Sequence, residues 1–313
     1  MKEGLNAIKF LSKSINSKEK VSSSHWNYYH KDFNYEKEIL SGLMGFGALT
    51  TPYKGLFRNI HYMFQWIFRK MTKDIVLFNK IDKKANEITS FQNRANNLDV
   101  IRQSLTISFL NQKINFNTID KVIVIGDGFA TMTSLLIENK LVERVYFINL
   151  RKTLIVDLIY LKKAIGDKRF ETETAIINQK DCFNSLKSRH KFIAIEAENY
   201  ELLKYINKDL VINIASFQEM SKEIIDNYFK FIYSKNGKPF YFYLCNREEK
   251  ELPDGEKIKF KNYNFEFDDQ ILENELCPWH QYFYMKYPPF FKKYDGPTRH
   301  QLRLIQNKKN VFR

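Results

Sequence analysis

The run Val122-Ile123-Val124-Ile125-Gly126-Asp127-Gly128-Phe129-Ala130 is the sharpest chemical signal in the chain. An apolar β-branched stretch runs into two glycines, and a helical pattern begins near Thr131. A strand, a glycine turn and a helix in that order let the backbone approach a ligand at the carboxyl edge of the strand. A third glycine is replaced by Ala130, and Asp127 sits between the two that remain. An acid inside the turn repels phosphate, so the turn favours a cationic or zwitterionic ligand. A purely structural tight turn is the competing reading. The next strand-like run, Val145 to Ile148, ends at Asn149-Leu150, near the spacing of about 20 residues at which an acid usually meets a ribose. Here an amide can donate to and accept from a diol.

The elements that position this turn follow from apolar patterning. From about residue 120, short apolar runs alternate with helical stretches: 122–125, 144–148, 191–195, 210–214 and 240–244 read as strands, with helices at 133–140, 153–164 and 222–233. Strands buried on both faces and separated by helices define a doubly wound, Rossmann-like α/β sheet. After Leu244 two strand-like runs, Gln281–Tyr284 and Gln301–Ile305, have no helix between them and are expected to pair as an antiparallel hairpin. Residues 1–110 read as a helical cap or substrate lid. Within them Ile60, Met63, Phe64, Ile67, Phe68 and Met71 recur at spacings of three and four, an apolar stripe expected to face the core. The glycine-rich patch Ser41–Ala48 reads as a mobile flap.

At 313 residues, 44% hydrophobic and 15% aromatic, with 11 Gly and 7 Pro, the chain is globular rather than disordered or fibrous. Fifty Lys and Arg against 36 Asp and Glu leave +14, which favours an anionic partner: nucleic acid, a lipid headgroup surface or a phosphorylated substrate. Three scattered cysteines, Cys182, Cys245 and Cys277, make no disulfide framework and fit a reducing compartment. The sequence shows no export signal and no apolar run of bilayer length, so a cytoplasmic location is expected. Cys277-x-x-His280 has metal-ligand spacing but no second close pair, so no metal is expected. Tyr287-Pro288-Pro289-Phe290 looks like a base-stacking motif of nucleic-acid amino-methyltransferases, but it does not follow the fourth strand, where that motif belongs.

The order of parts resembles a class I S-adenosylmethionine-dependent methyltransferase, a seven-stranded domain closed by a carboxyl-terminal hairpin. The segments Asp209–Met220, Tyr228–Phe231, Tyr243–Arg247 and Tyr294–His300 are similar to those of the bacterial sugar O-methyltransferase family. The likeness runs from about residue 25 to the end, through His25-Trp26 and Gly55-Leu56-Phe57-Arg58-Asn59. Asn149, where that family usually has Asp, and Ala130, often Gly, depart from it. The resemblance implies a methyltransferase domain over 111–313, with its hairpin at about 278–308. It also implies S-adenosyl-L-methionine as cofactor and a sugar hydroxyl as acceptor, in bacterial surface polysaccharide synthesis. Gly126, Asp127 and Gly128 would then meet the methionine end of the cofactor, and Asn149 and Leu150 its ribose and adenine. Ser216 to Glu219 would lie between cofactor and acceptor, with Ser216 and Phe217 touching the cofactor.

An alcohol needs a base as it attacks. Glu219, His280 and His300 are the candidates, with Glu219 also readable as a helix amino-terminal carboxylate beside Ser221. Asn246 and Arg247, beyond the fifth strand, are candidate substrate contacts, with Arg247 alternatively pairing with Glu248 or Glu249. Trp279 could stack on a pyranose face or fill the core. His25, Trp26 and His30 belong either to a substrate lid or to ordinary surface. The acceptor is expected to be a nucleotide sugar or a polysaccharide, and the basic surface could touch an anionic inner membrane. An RNA or DNA methyltransferase, favoured by the charge, and a non-catalytic cofactor-binding subunit of a polysaccharide assembly complex are the alternatives.

Overall fold

The computed structural model describes residues 1–36, 39–43, 51–234, 238–285 and 287–306. The amino-terminal part contains β1 (Lys2–Glu3), α1 (Leu5–Ser12), α2 (Ser24–Tyr29), β2 (Asn34–Glu36), β3 (Ile39–Ser41), α3 (Gly55–Arg69), α4 (Ile75–Phe91) and α5 (Leu98–Lys113). Then come β4 (Lys121–Ile125), α6 (Thr131–Glu138), β5 (Arg144–Asn149), α7 (Arg151–Ile165), α8 (Asp167–Glu173), β6 (Thr174–Ile177), β7 (Phe192–Glu196), β8 (Leu210–Ile214), α9 (Lys222–Ile232) and β9 (Phe240–Arg247). The chain continues through β10 (Glu249–Glu251), β11 (Lys257–Lys259), β12 (Gln270–Leu276), β13 (Tyr282–Tyr284), β14 (Phe291–Lys293) and β15 (Thr298–Ile305).

Among the described residues the main sheet has nine strands in the order β1-β6-β7-β5-β4-β8-β9-β15-β12. Strands β6 to β9 are parallel, and β1, β15 and β12 join antiparallel at the two ends. β4 pairs with β5 on one side and β8 on the other, so the chain winds outward in both directions from it. The gap above the carboxyl ends of β4 and β8 is therefore a topological switch point, where doubly wound sheets bind ligands.

Alternation along the central strands explains why they read as unbroken apolar runs. Val122 and Val124 of β4 bury with Met132, Leu135, Leu154 and Leu158 on one face. Ile123 and Ile125 bury with Phe217, Ile225 and Phe229 on the other. Helices α4 and α5 share the first of these cores through Phe78, Ile81, Ile101 and Leu105.

Four expectations are corrected or fall outside the description. The closing hairpin pairs β15 with β12, in the register Leu276↔Arg299, and not with Gln281–Tyr284. Tyr282–Tyr284 instead forms a separate ribbon with Phe291–Lys293. β12 is an edge strand, mostly exposed and carrying Glu273, Asn274 and Glu275, so it lacks the apolar signature of a buried strand. The sheet also extends past the expected seven strands through β6 and β1, which are too short to register as periodic patterns. The stripe on α3 is turned partly outward: Met63 and Ile67 are exposed, while Phe68 is buried. The expected flap lies, over residues 44–48, outside the described residues.

Candidate functional site

The glycine turn is held in left-handed backbone from both ends. Gly126 and Gly128 have φ of +74° and +65°, and Phe129 and Ala130 follow at +62° and +50°. Ala130 thus occupies a conformation that glycine adopts without the roughly 1 kcal/mol penalty of a side chain. The two glycines do different jobs. A Cβ on Gly126 would lie 2.0 Å from Ser216 Oγ, so its bareness lets the ends of β4 and β8 close together. A Cβ on Gly128 would meet nothing within 4 Å, because the space beside it is the cleft.

Asp127 acts as a helix cap. Its two carboxylate oxygens accept from the backbone N–H groups of Met132 (2.8 Å) and Thr133 (2.7 Å) at the start of α6. Those amides are the donors that a phosphate at a helix amino terminus would use. The turn is therefore closed to pyrophosphate by its own side chain. Burial pushes the Asp127 carboxyl above the usual carboxylate range, against the pull of these hydrogen bonds.

Asn149, at the end of β5, lines the cleft, but its amide is also braced from behind. Its Nδ2 donates to Asp157 Oδ2 (2.9 Å), and Asp157 Oδ1 accepts from the Ala130 N–H (3.2 Å). Asp157 lies fully buried on α7 and ties the end of β5 to the glycine turn. Burial, then the charge of Asp127, push its pKa up to about 8. The sequence reading missed Asp157; its signal was a lone acid in the apolar run Leu154-Ile155-Val156-Asp157-Leu158-Ile159, which demands a buried partner.

Beyond Ser216 the chain makes a single turn, Phe217–Glu219, that brings Glu219 to the cleft. Glu219 Oε1 stands 2.9 Å from Lys250 Nζ and 3.5 Å from His25 Nε2. Burial raises the Glu219 pKa while Lys250 and Arg247 oppose the rise. His25 comes from α2, which is tied to the same turn by a Ser23 hydroxyl donating to the Glu219 carbonyl. Burial, then the charges of Lys250 and Arg247, hold His25 at about 3, so its ring is neutral at physiological pH. His280 also lines the cleft, with Nδ1 3.5 Å from Cys245 Sγ. It is kept well below the ordinary histidine range by burial and then by Arg102. The Arg247 guanidinium lies over the Tyr294 ring, 4.9 Å from its centroid, and faces the cleft. Glu248 and Glu249 pair elsewhere, with Arg299 and Lys259.

Five expected site residues are not in the cleft. Phe217 is fully buried against Tyr228, Phe229 and Phe242. Leu150 is buried and caps α7 through its backbone. Asn246 is fully buried and braces the scaffold: its Oδ1 accepts from the Gln218 N–H, and its Nδ2 donates to Asn213, which in turn donates to the Ile125 carbonyl. Trp279 packs between Phe109 and His300 in the core. His300 is fully buried, bonded to Tyr243 and Glu275.

The remaining residues surround one cleft of about 520 Å³, a size typical of small-molecule sites. Gly126, Asp127, Gly128, Asn149 and Ser216, from the ends of neighbouring strands, are in its lining. His25, Trp26, Glu219, Arg247, Lys250 and His280 are also in its lining. The sequence reading did not assign Lys250, nor Arg94 and Arg102, two buried cleft arginines. Arg102 is tied down by Asp99 and the carbonyl of Trp279, so it positions the wall.

No protein-family model matches this sequence, and no curated protein matches it. Among solved structures the chain is similar to M. capricolum TrmK in complex with S-adenosyl-homocysteine, at 13% identity and a TM-score of 0.36, covering 63% of this chain and 67% of that one. It is also similar to the methyltransferase domain of bacterial CtHen1-C, at 13% identity and a TM-score of 0.39, covering 67% and 100%. A third is spermidine synthase from Thermotoga maritima, at 12% identity and a TM-score of 0.34, covering 64% and 60%. Likeness at this level assigns the chain none of their activities; its doubly wound α/β fold stands on the sheet order itself.

Proposed function

We propose that this chain is an S-adenosyl-L-methionine-dependent O-methyltransferase acting on a sugar hydroxyl, in the synthesis of a bacterial surface polysaccharide. The observation that carries the cofactor reading is the turn itself: bare backbone at Gly128 opens onto a switch-point cleft, while Asp127 takes the α6 amides that a phosphate would need. A carboxylate there suits a ligand bearing positive charge. When bound, that cofactor supplies an electrophilic methyl group on a sulfonium. The sugar reading is supported by the resemblance of 209–220 and 294–300 to sugar O-methyltransferases, and by the polar and aromatic cleft side chains Trp26, Gln103, Glu219, Arg247 and Tyr294.

In this reading His25 is the base. Its ring is neutral and its Nε2 faces Glu219, so a proton taken from the hydroxyl would give an imidazolium beside that carboxyl. Glu219 holds the ring's orientation, and Lys250 holds Glu219. Gly128 would admit the methionine end beside Ser216, and Asn149, in the cleft lining, would meet the ribose. Arg247, with its side chain over Tyr294, binds acceptor hydroxyls.

Calorimetric titration with S-adenosylmethionine and its demethylated product tests the cofactor. Wild type should bind both, and Gly128→Val, checked for folding by circular dichroism, should bind neither. A wild type that binds neither ligand would sink the reading. Transfer of labelled methyl to nucleotide sugars or oligosaccharides is then expected; labelling of RNA instead would replace the sugar acceptor.

A further inference from the structure

Helix α3 buries three polar residues while four of its apolar residues face outward. His61, Gln65 and Arg69 are buried, whereas Leu56, Met63, Trp66 and Ile67 are 75, 61, 52 and 59% exposed. At 100° per residue Leu56, Met63 and Ile67 form one stripe, with Trp66 beside it. The orientation is locked from within, because His61 bonds the Tyr284 hydroxyl and Arg69 pairs with buried Asp82. An exposed apolar stripe of this kind, with Asn59 between Trp66 and Met63, marks an interaction surface.

Charge selects what covers it. From residue 51 to 73 there is no Asp or Glu, and besides buried Arg69 four basic residues occur, all exposed: Lys54, Arg58, Lys70 and Lys73. Lys54 precedes the helix, and Lys70 and Lys73 follow it, so cations flank both ends of the exposed stripe. A second copy presenting the same face would bring these cations together. An anionic bilayer accepts all of these groups at once: the apolar side chains enter the acyl boundary, Trp66 sits at headgroup level, and the lysines reach phosphate. Fifteen residues span only about 22 Å, short of the roughly 30 Å hydrocarbon core, so the helix lies in the plane of the surface.

We propose that α3 docks this protein onto an anionic lipid surface through Leu56, Met63, Trp66 and Ile67. Tyr284, the partner of His61, also lines the cleft, so the docked helix holds one cleft wall close to the headgroups. The proposal does not depend on methyl transfer and is tested without it.

The full chain is sedimented at low salt with vesicles of phosphatidylcholine alone and of phosphatidylcholine mixed with phosphatidylglycerol. Binding to the mixed vesicles is expected, with a blue shift of tryptophan emission that Trp66→Phe abolishes. Met63→Glu with Ile67→Glu, both on an exposed face, should weaken binding by about tenfold or more while leaving circular dichroism unchanged. Three results overturn the proposal. One is no cosedimentation at low salt, and another is undiminished binding by the double variant. The third is a lipid-free dimer dispersed by the same substitutions, which assigns the face to a second copy.

Discussion

At the scale of single residues, the proposed base is His25, one of several titratable groups in the cleft lining. His25→Gln should lower turnover by about 10²- to 10⁴-fold with cofactor binding unchanged, as loss of a general base does. His280→Gln should cost much less, since its ring nitrogen faces Cys245. Equal losses for both, read from kcat against titrated cofactor affinity, would reassign the base. Asp157 gives a pH signature. Its folded pKa of about 8 lies above the ordinary value near 4, so the fold holds a proton that the unfolded chain releases. That contribution is present in full below about pH 4 and is lost as pH rises through about 8. Urea midpoints measured from pH 5 to pH 9 should fall more in wild type than in Asp157→Asn. Glu219 and Arg247 were legible as cleft residues because position after a strand end can be read from sequence, whereas His280 was named only as a histidine flanking the expected hairpin. The side on which a residue falls cannot: Asn246 and Arg247 are neighbours, yet one braces Asn213 and the other faces the cleft. His300 lies further along β15 than Thr298, where Phe109 of α5 covers it.

At the scale of elements, the turn between β4 and α6 does two separable things. Asp127→Ala removes a cap from two α6 amides and should cost about 1 kcal/mol in urea unfolding. Gly126→Ala drives a methyl into Ser216, and Ser216→Gly should restore part of the lost stability; a Ser216→Gly background that gives no relief would place the strain elsewhere. The strand–turn–helix was legible because apolar runs, glycines and helical spacing coincide there. β12 was not, because an exposed edge strand carries no burial pattern to read. α3 was half legible: periodicity reveals that a helix has an apolar face, but not which way that face looks. Here buried His61 and Arg69, with partners distant in sequence, decide it.

At the scale of the whole molecule, the doubly wound sheet was legible from the alternation of strands and helices, but the integration of its first third was not. Leu98, Ile101 and Leu105 of α5 bury in the same core as Met132 and Leu135 of α6. A chain of residues 111–313 alone should therefore bind a dye for exposed apolar surface and melt without a sharp transition. A cooperative melt close to that of the full chain would show instead that the first 110 residues are an independent cap. The far edge of the sheet adds a constraint in time. Lys2 and Glu3 pair with Ile176 and Ala175, so this strand must wait for partners that follow it by about 170 positions. The stretch between β1 and β6 includes His25. The cleft thus closes late during synthesis, and a nascent chain paused before β6 would carry every glycine of the turn while His25 was still untethered at this edge.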